Sequence, residues 1–371
     1  MKYAARPLIL FLLLLSTIQS ALASHHRHHH RHDRSQTQEV RLDLTPVTIV
    51  PYVVPTPTSD SALASVRRRM NLENGVEVRS TRWIAPGDVT TRNLFILSVT
   101  QSLEGGFDSI NMYDKGVLSW GVMQWTVGTG SLPPVLIYIK RRLMQTGQVR
   151  VWNKVFTAQG LDADKGGLIA YGKRLQTPAE MRLAFRGSAI TGNYDPKVAA
   201  YWATVMARAG RQTAIQQFQR EYAQRVVDDV LTQSLPGLPY HAPGRDATVE
   251  NLTGNDAYAE ALVFALWTNN PRHCRKYVAD AAQAARSVST SDNPALWSPE
   301  TFRQALLQRC RVSHFSNWRQ RADAIQTRAL CLRTAGPESL TPFERGCQIA
   351  LAERKSRLVQ LASRHKTVRS H

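Results

Sequence analysis

Two carboxylates stand ten positions apart near the end of the first third of the chain, in Glu104-Gly105-Gly106-Phe107 and in Tyr113-Asp114-Lys115-Gly116. Cleavage of a glycosidic bond needs a proton donor for the leaving oxygen and commonly a second carboxylate that activates water or stabilises positive charge. Glu104 closes a stretch, Thr91 to Leu103, with Leu94, Leu97 and Phe95 toward one apolar side, and Gly105-Gly106 can end that helix. At a helix C-terminus the macrodipole opposes a negative charge, and Leu103 and Phe107 add desolvation; both favour a carboxyl that keeps its proton, as a general acid must. Asp114 lies in a turn composition where an Asp also serves to cap backbone.

The elements around them are predicted as mainly helical. Helices are expected over Pro196–Ala207, Ala214–Leu231, Tyr258–Trp267 and from Ser298-Pro299-Glu300 to Cys310, the last with Pro at its first helical position. Strands are expected over Val117–Thr126, as a hairpin, and over Gly75–Ser80. Ser119-Trp120-Gly121-Val122-Met123-Gln124-Trp125 supplies polar and stacking groups suited to a sugar ring, and Gly121 permits close approach by a ligand.

Composition frames the setting. Residues 1–23 have the build of a secretory signal: Lys2 and Arg6, an apolar run Leu8–Leu15, then Ala21-Leu22-Ala23. That run is shorter than the roughly 18 apolar residues of a membrane helix, and no stable membrane insertion is expected. The formal charge is +19, and losing Lys2 and Arg6 leaves +17, a field that attracts polyanions such as acidic wall polymers. No zinc-finger or aromatic–basic pattern points to nucleic acid. Residues 24–61, with His25 to His32 and Pro46, Pro51, Pro55 and Pro57, are expected as a His-rich and Pro-rich linker, a solvated tether without a bound metal. A catalytic domain is expected over 62–362, with a helical extension from about residue 291, and a basic tail over 363–371. Cys274, Cys310, Cys331 and Cys347 are expected to pair as Cys274–Cys310 and Cys331–Cys347 in an oxidising compartment.

With these residues in view, the chain resembles the lysozyme superfamily in two ways. Glu104 followed by Gly121-Val122-Met123-Gln124 resembles the lytic transglycosylases and goose-type lysozymes, in which a helix-terminal Glu precedes a Gly-x-Met-Gln strand lining the cleft. Asp114 through Gly130 is similar to family 46 chitosanases, with an Asp, a Ser or Thr five positions on, a Gly-hydrophobic pair and Gly-Thr-Gly. Ile215-Gln216-Gln217-Phe218-Gln219 also looks like the Phe-Gln-x-Ala-Gln helix of that family. The resemblance implies a lysozyme-like helical domain with a small β-hairpin beside the cleft. It implies Glu104 as general acid, Asp114 as the residue activating water and Ser119 as the hydroxyl holding that water. Tyr113, Gly121, Gln124, Trp125 and Asn269 would bind substrate. Two departures stand out. The Glu–Asp spacing is shorter than in the chitosanases, and Leu266-Trp267-Thr268-Asn269-Asn270-Pro271 replaces the Ala-Tyr-Asn-x-Gly of the transglycosylases.

The expectation is a secreted or periplasmic, monomeric hydrolase without cofactor or metal, cleaving β-1,4 linkages in an aminosugar polymer. Charge favours peptidoglycan, which carries carboxylates, over the polycation chitosan. A chitosanase, a lytic transglycosylase using Glu104 alone and a non-catalytic wall-binding protein are the alternatives.

Overall fold

The computed structural model describes residues 41–53, 73–239, 246–254, 256–313 and 316–334. The signal-like segment, the His tract, the basic tail and Cys347 lie outside them. The described chain from Leu42 onward is mainly α-helical, with small antiparallel sheets.

A five-stranded antiparallel sheet runs in chain order through β1 (Val50–Tyr52), β2 (Gly75–Val78), β3 (Ile110–Asn111), β4 (Ser119–Trp120) and β5 (Trp125–Thr126). The expected hairpin is there, with Ser119 opposite Thr126 and Trp120 opposite Trp125, although its strands are only two residues long. Residues 41–53, inside the stretch read as a spacer, supply the edge strand β1. They also place Asp43 against Gln212 and the carbonyls of Thr45 and Pro46 against Arg211.

Helix α1 (Arg92–Glu104) leads from this sheet's side into the core. Thr91 caps it by accepting from the Leu94 amide (3.3 Å), and it buries residues on all sides, from Leu94 to Gln101. Next come α2 (Leu132–Gln145), α3 (Val149–Val155) and a small sheet of β6 (Leu161–Asp164), β7 (Gly167–Ala170) and β8 (Lys173–Arg174). Helix α4 (Pro178–Arg186) starts on a Thr177–Glu180 capping box, and Asp195 caps α5 (Pro196–Arg211). Gln212 separates α5 from α6 (Thr213–Leu231); Gly210, inside α5, packs on Phe107 and Asp108, where a Cβ would stand 2.1 Å from the Phe107 carbonyl oxygen.

The last four helices are α7 (Ala257–Asn269), α8 (Pro271–Val288), α9 (Pro299–Arg311) and α10 (Ser316–Thr334). Helix α7 is buried without interruption from Tyr258 to Leu266, which explains its lack of a polar face: α1, α8 and α10 surround it. Among the described residues, no helix is long and apolar enough to cross a membrane.

The disulfide expectation is overturned. Cys274 and Cys310 are free thiols buried where α8 packs on α9, and the Cys274 Sγ donates to the Val263 carbonyl (3.4 Å). Burial pushes both thiols up, Cys310 to about 12 and Cys274 higher, so they act as small core hydrophobes. Cys count and compartment do not say whether two thiols come within bonding distance, and that is why the reading failed. The side chain of Cys331 lies outside the described residues.

Candidate functional site

Glu104 is the last residue of α1. Gly105 follows at φ 132° and returns its N–H to the Gln101 carbonyl (2.7 Å), a conformation open to glycine, so the chain turns away and leaves the carboxylate at the helix end. Two distant helices meet it there. Thr268 Oγ1, at the end of α7, stands 3.1 Å from Glu104 Oε1 and 3.1 Å from the Ala265 carbonyl. Arg321 of α10 makes an ion pair with Glu104 Oε1, and the same Nη1 reaches the Ala265 carbonyl (3.3 Å). The Glu104 side chain is 10% exposed and that of Arg321 15%. Next to Thr268, Asn269 Oδ1 accepts from Trp318 Nε1 (2.6 Å).

The Gly121–Gln124 turn reaches the residue that follows Glu104. Gln124 Nε2 donates to Ser109 Oγ (2.6 Å) and to the Gly121 carbonyl (3.2 Å). A Cβ on Gly105 would stand 2.1 Å from Ser109 Oγ and 3.2 Å from Gln124 Nε2, which puts Gln124 directly beside the residue after Glu104. Gln124 itself has φ 48°, an unfavourable conformation for a non-glycine residue, held by these bonds.

Asp114 has a different environment. Its Oδ1 accepts from the Gly116 amide (2.7 Å) and its Oδ2 from Asn111 Nδ2 (3.3 Å), so the carboxylate closes its own turn. Behind it lies a buried ion pair, Glu73 Oε2 to Arg186 Nη1 (2.5 Å), and Arg186 also reaches the Asp114 carbonyl (3.4 Å). Burial raises the Asp114 pKa above the ordinary carboxylate value, and the Glu73 charge adds to this against the Gly116 amide, Arg186 and Asn111.

The expected sugar contacts distribute unevenly. Gly121, at φ 82°, does admit a close approach, but by Gln219: a Cβ there would lie 2.4 Å from Gln219 Oε1. Gln219 is fully buried, accepts from the Val122 amide (3.2 Å) and donates to the Phe107 carbonyl (3.0 Å), pinning the turn to α6. Trp125 is buried edge-on against Tyr222 (5.8 Å) and Ser119 is buried in β4. Tyr113 stacks on Tyr52 (centroids 3.9 Å apart), and burial takes its phenol up to about 12. The structure therefore brings Thr268 and Arg321 onto the Glu104 carboxylate, with Gln124 beside Gly105 and Asn269 bonded to Trp318.

A third acid, Asp108, lies between the two and serves the fold. It is fully buried, pairs with Arg211 Nε (3.0 Å) and accepts from Ser80 Oγ (2.6 Å), Thr81 Oγ1 (2.7 Å) and two backbone amides. Burial alone would raise its pKa; the bonds from Ser80, Thr81 and Arg211 outweigh that and lower it. Arg321 and Ser109 were missed in the sequence. Arg321 lies 217 positions from Glu104 with no motif around it, whereas the helix-ending Thr268-Asn269-Asn270-Pro271 could have pointed to Thr268.

Comparison with protein-family models, with curated proteins and with solved structures finds no match to this chain.

Proposed function

We propose that this protein is an exported enzyme that cleaves β-1,4 linkages of a wall aminosugar polymer, peptidoglycan, with Glu104 as its acid and base and no second carboxylate. One observation carries the reading. The helix-terminal Glu104 meets Thr268, 164 positions away, and the Gly121–Gln124 turn, also singled out for glycan chemistry, packs beside Gly105. Asp114 argues for the single-carboxylate form of the reaction, since both its oxygens are engaged inside its own turn.

In this reading Glu104 gives its proton to the leaving oxygen as the glycosidic bond breaks. The resulting carboxylate takes a proton back from a hydroxyl of the substrate, which closes onto the sugar carbon. Arg321 stabilises the carboxylate form between the two steps, and the Ala265 carbonyl holds its guanidinium while Glu104 is protonated. Thr268 can donate to the carboxylate and turn to Ala265 when the proton is present.

The positive charge, +19 for the whole sequence and +17 without Lys2 and Arg6, favours a carboxylate-bearing polymer over chitosan. Turbidity and product-mass assays of the purified protein on peptidoglycan and on chitosan test the assignment; cleavage of neither removes it. A second reading has its own support. Glu104 is 10% exposed and already ion-paired, as a structural acid would be, and a wall-binding protein without turnover would show binding and no products.

A further inference from the structure

Tyr171 occupies a backbone conformation unfavourable to its residue type. The turn between β7 and β8 is Tyr171-Gly172, with φ 49° and 77°. Asn-Gly or Gly-Gly adopt this geometry readily, and a bulky residue there is strained. Core filling does not account for it, because Tyr171 is 64% exposed. The ring is nonetheless held in place. The Tyr171 backbone N–H donates to the Gly160 carbonyl (2.7 Å), a Cβ on Gly160 would lie 2.7 Å from the ring, and buried Trp202 meets the ring edge-on at 5.5 Å.

Tyr201 also packs against Trp202, 5.2 Å between centroids, 38% exposed, with its hydroxyl donating to the Gln159 carbonyl (2.8 Å). Both rings thus flank Gln159-Gly160. Along α5 the spacing Lys197, Tyr201, Thr204, Arg208 lies on one helix face. Lys197 and Arg208 are exposed and, among the described residues, form no ion pair. Asp195 at the head of this face is engaged in capping the helix. On the adjoining hairpin, by contrast, Lys173 and Arg174 are neutralised by Glu180 and Asp164.

We propose that Tyr171, Tyr201 and the Lys197–Arg208 stripe form a second binding surface for an anionic glycan strand. Sugar faces lie on the two tyrosine rings, and polymer carboxylates meet Lys197 and Arg208. Tyrosines held this way offer large, amphipathic contact area with little rotamer entropy left to lose, and the unpaired cations give the surface its sign. The choice of polymer rests on the proposed function; the surface shares no residue with the Glu104 site. Its role is to hold an insoluble polymer to the enzyme, raising the effective concentration of cleavable bonds, so it matters for intact wall and not for short fragments.

The test is co-sedimentation of the full chain with purified insoluble peptidoglycan over a salt series, alongside cleavage of a short soluble fragment. Tyr171→Asn suits the turn better than the native residue, so folding should survive its loss, with thermal melting as the check. Tyr171→Asn with Tyr201→Ala is expected to weaken binding at least tenfold with fragment cleavage within twofold of the parent. Lys197→Ala with Arg208→Ala is expected to remove most of the salt-sensitive part of binding. Binding by the tyrosine variant within twofold, fragment cleavage lost in parallel, or no binding by the parent would each overturn the proposal. Tyrosine-dependent binding without any cleavage would uphold the surface and remove the catalytic reading; cleavage with tyrosine-independent binding would do the reverse.

Discussion

Glu104 and Asp114 sit ten positions apart, yet the fold treats them in opposite ways. Glu104 meets partners from α7 and α10, 164 and 217 positions away, and a glutamine amide of the sheet stands beside the next residue. Asp114 takes its two side-chain bonds from residues two and three positions off. An acid that only closes a turn needs no more than its neighbours. Distant polar groups converge on Glu104 and not on Asp114, which separates the two where residue type and motif do not. They converge on Asp108 as well, so the proposed role of Glu104 has to be read from turnover and not from convergence alone.

The largest expected effect is on catalysis at Glu104. Glu104→Gln keeps the shape and removes the proton, so the rate of product release from peptidoglycan should fall on the order of 100- to 10,000-fold with the fold intact. A variant retaining more than half the parent rate would take Glu104 out of the reaction.

Asp108 provides the contrast of an acid devoted to stability. Asp108→Asn leaves Arg211 buried without its counter-charge and should cost about 3–5 kcal/mol in denaturant unfolding at neutral pH. Because the folded pKa of Asp108 is depressed, its stabilisation is present above the ordinary carboxylate value and is lost as pH falls through the folded value. The difference between parent and variant should therefore shrink in acid. A difference independent of pH would break this account of Asp108.

Thr268→Val removes a hydroxyl facing Glu104 and should lower turnover roughly tenfold, the scale of one hydrogen bond to a charged group. Loss of binding without loss of turnover would place Thr268 on the substrate instead.

The smallest effect is expected at Asp114. Asp114→Asn keeps an acceptor for the Gly116 amide and should change turnover less than about threefold, as befits a turn residue. Since burial raises the folded pKa of Asp114, its contribution to stability is full below the ordinary carboxylate value and is lost as pH rises through the folded value. The variant should thus match or exceed the parent in melting temperature at neutral pH and lose that advantage in acid. The opposite trend would mean that the ionised carboxylate is a favourable partner in the fold.

The parts of the fold legible in the sequence are those with local punctuation. Thr91 and Gly105 bracket α1, Ser298-Pro299 opens α9, and the apolar run of α7 marks a central helix. The β6–β8 sheet was not legible, because strands of two to four residues joined by Lys165-Gly166 and Tyr171-Gly172 carry too little alternation to register. In the candidate site, the place of Glu104 at a helix end was readable from Gly105-Gly106. The aromatic residues misled: Trp120 and Trp125 look like sugar platforms until Phe156 and Tyr222 are seen to occupy them. Arg321 could not be read at all, since only packing of α10 on α1 and α7 brings it to Glu104.

The claim that Glu104 works without a second carboxylate is tested most directly by the masses of the products released from peptidoglycan by the parent and by Asp114→Asn. The account predicts anhydro-sugar ends from both proteins, at rates within about threefold of each other. Ordinary reducing ends from the parent, together with a tenfold or greater loss in Asp114→Asn, would contradict it and restore Asp114 as the group that activates water.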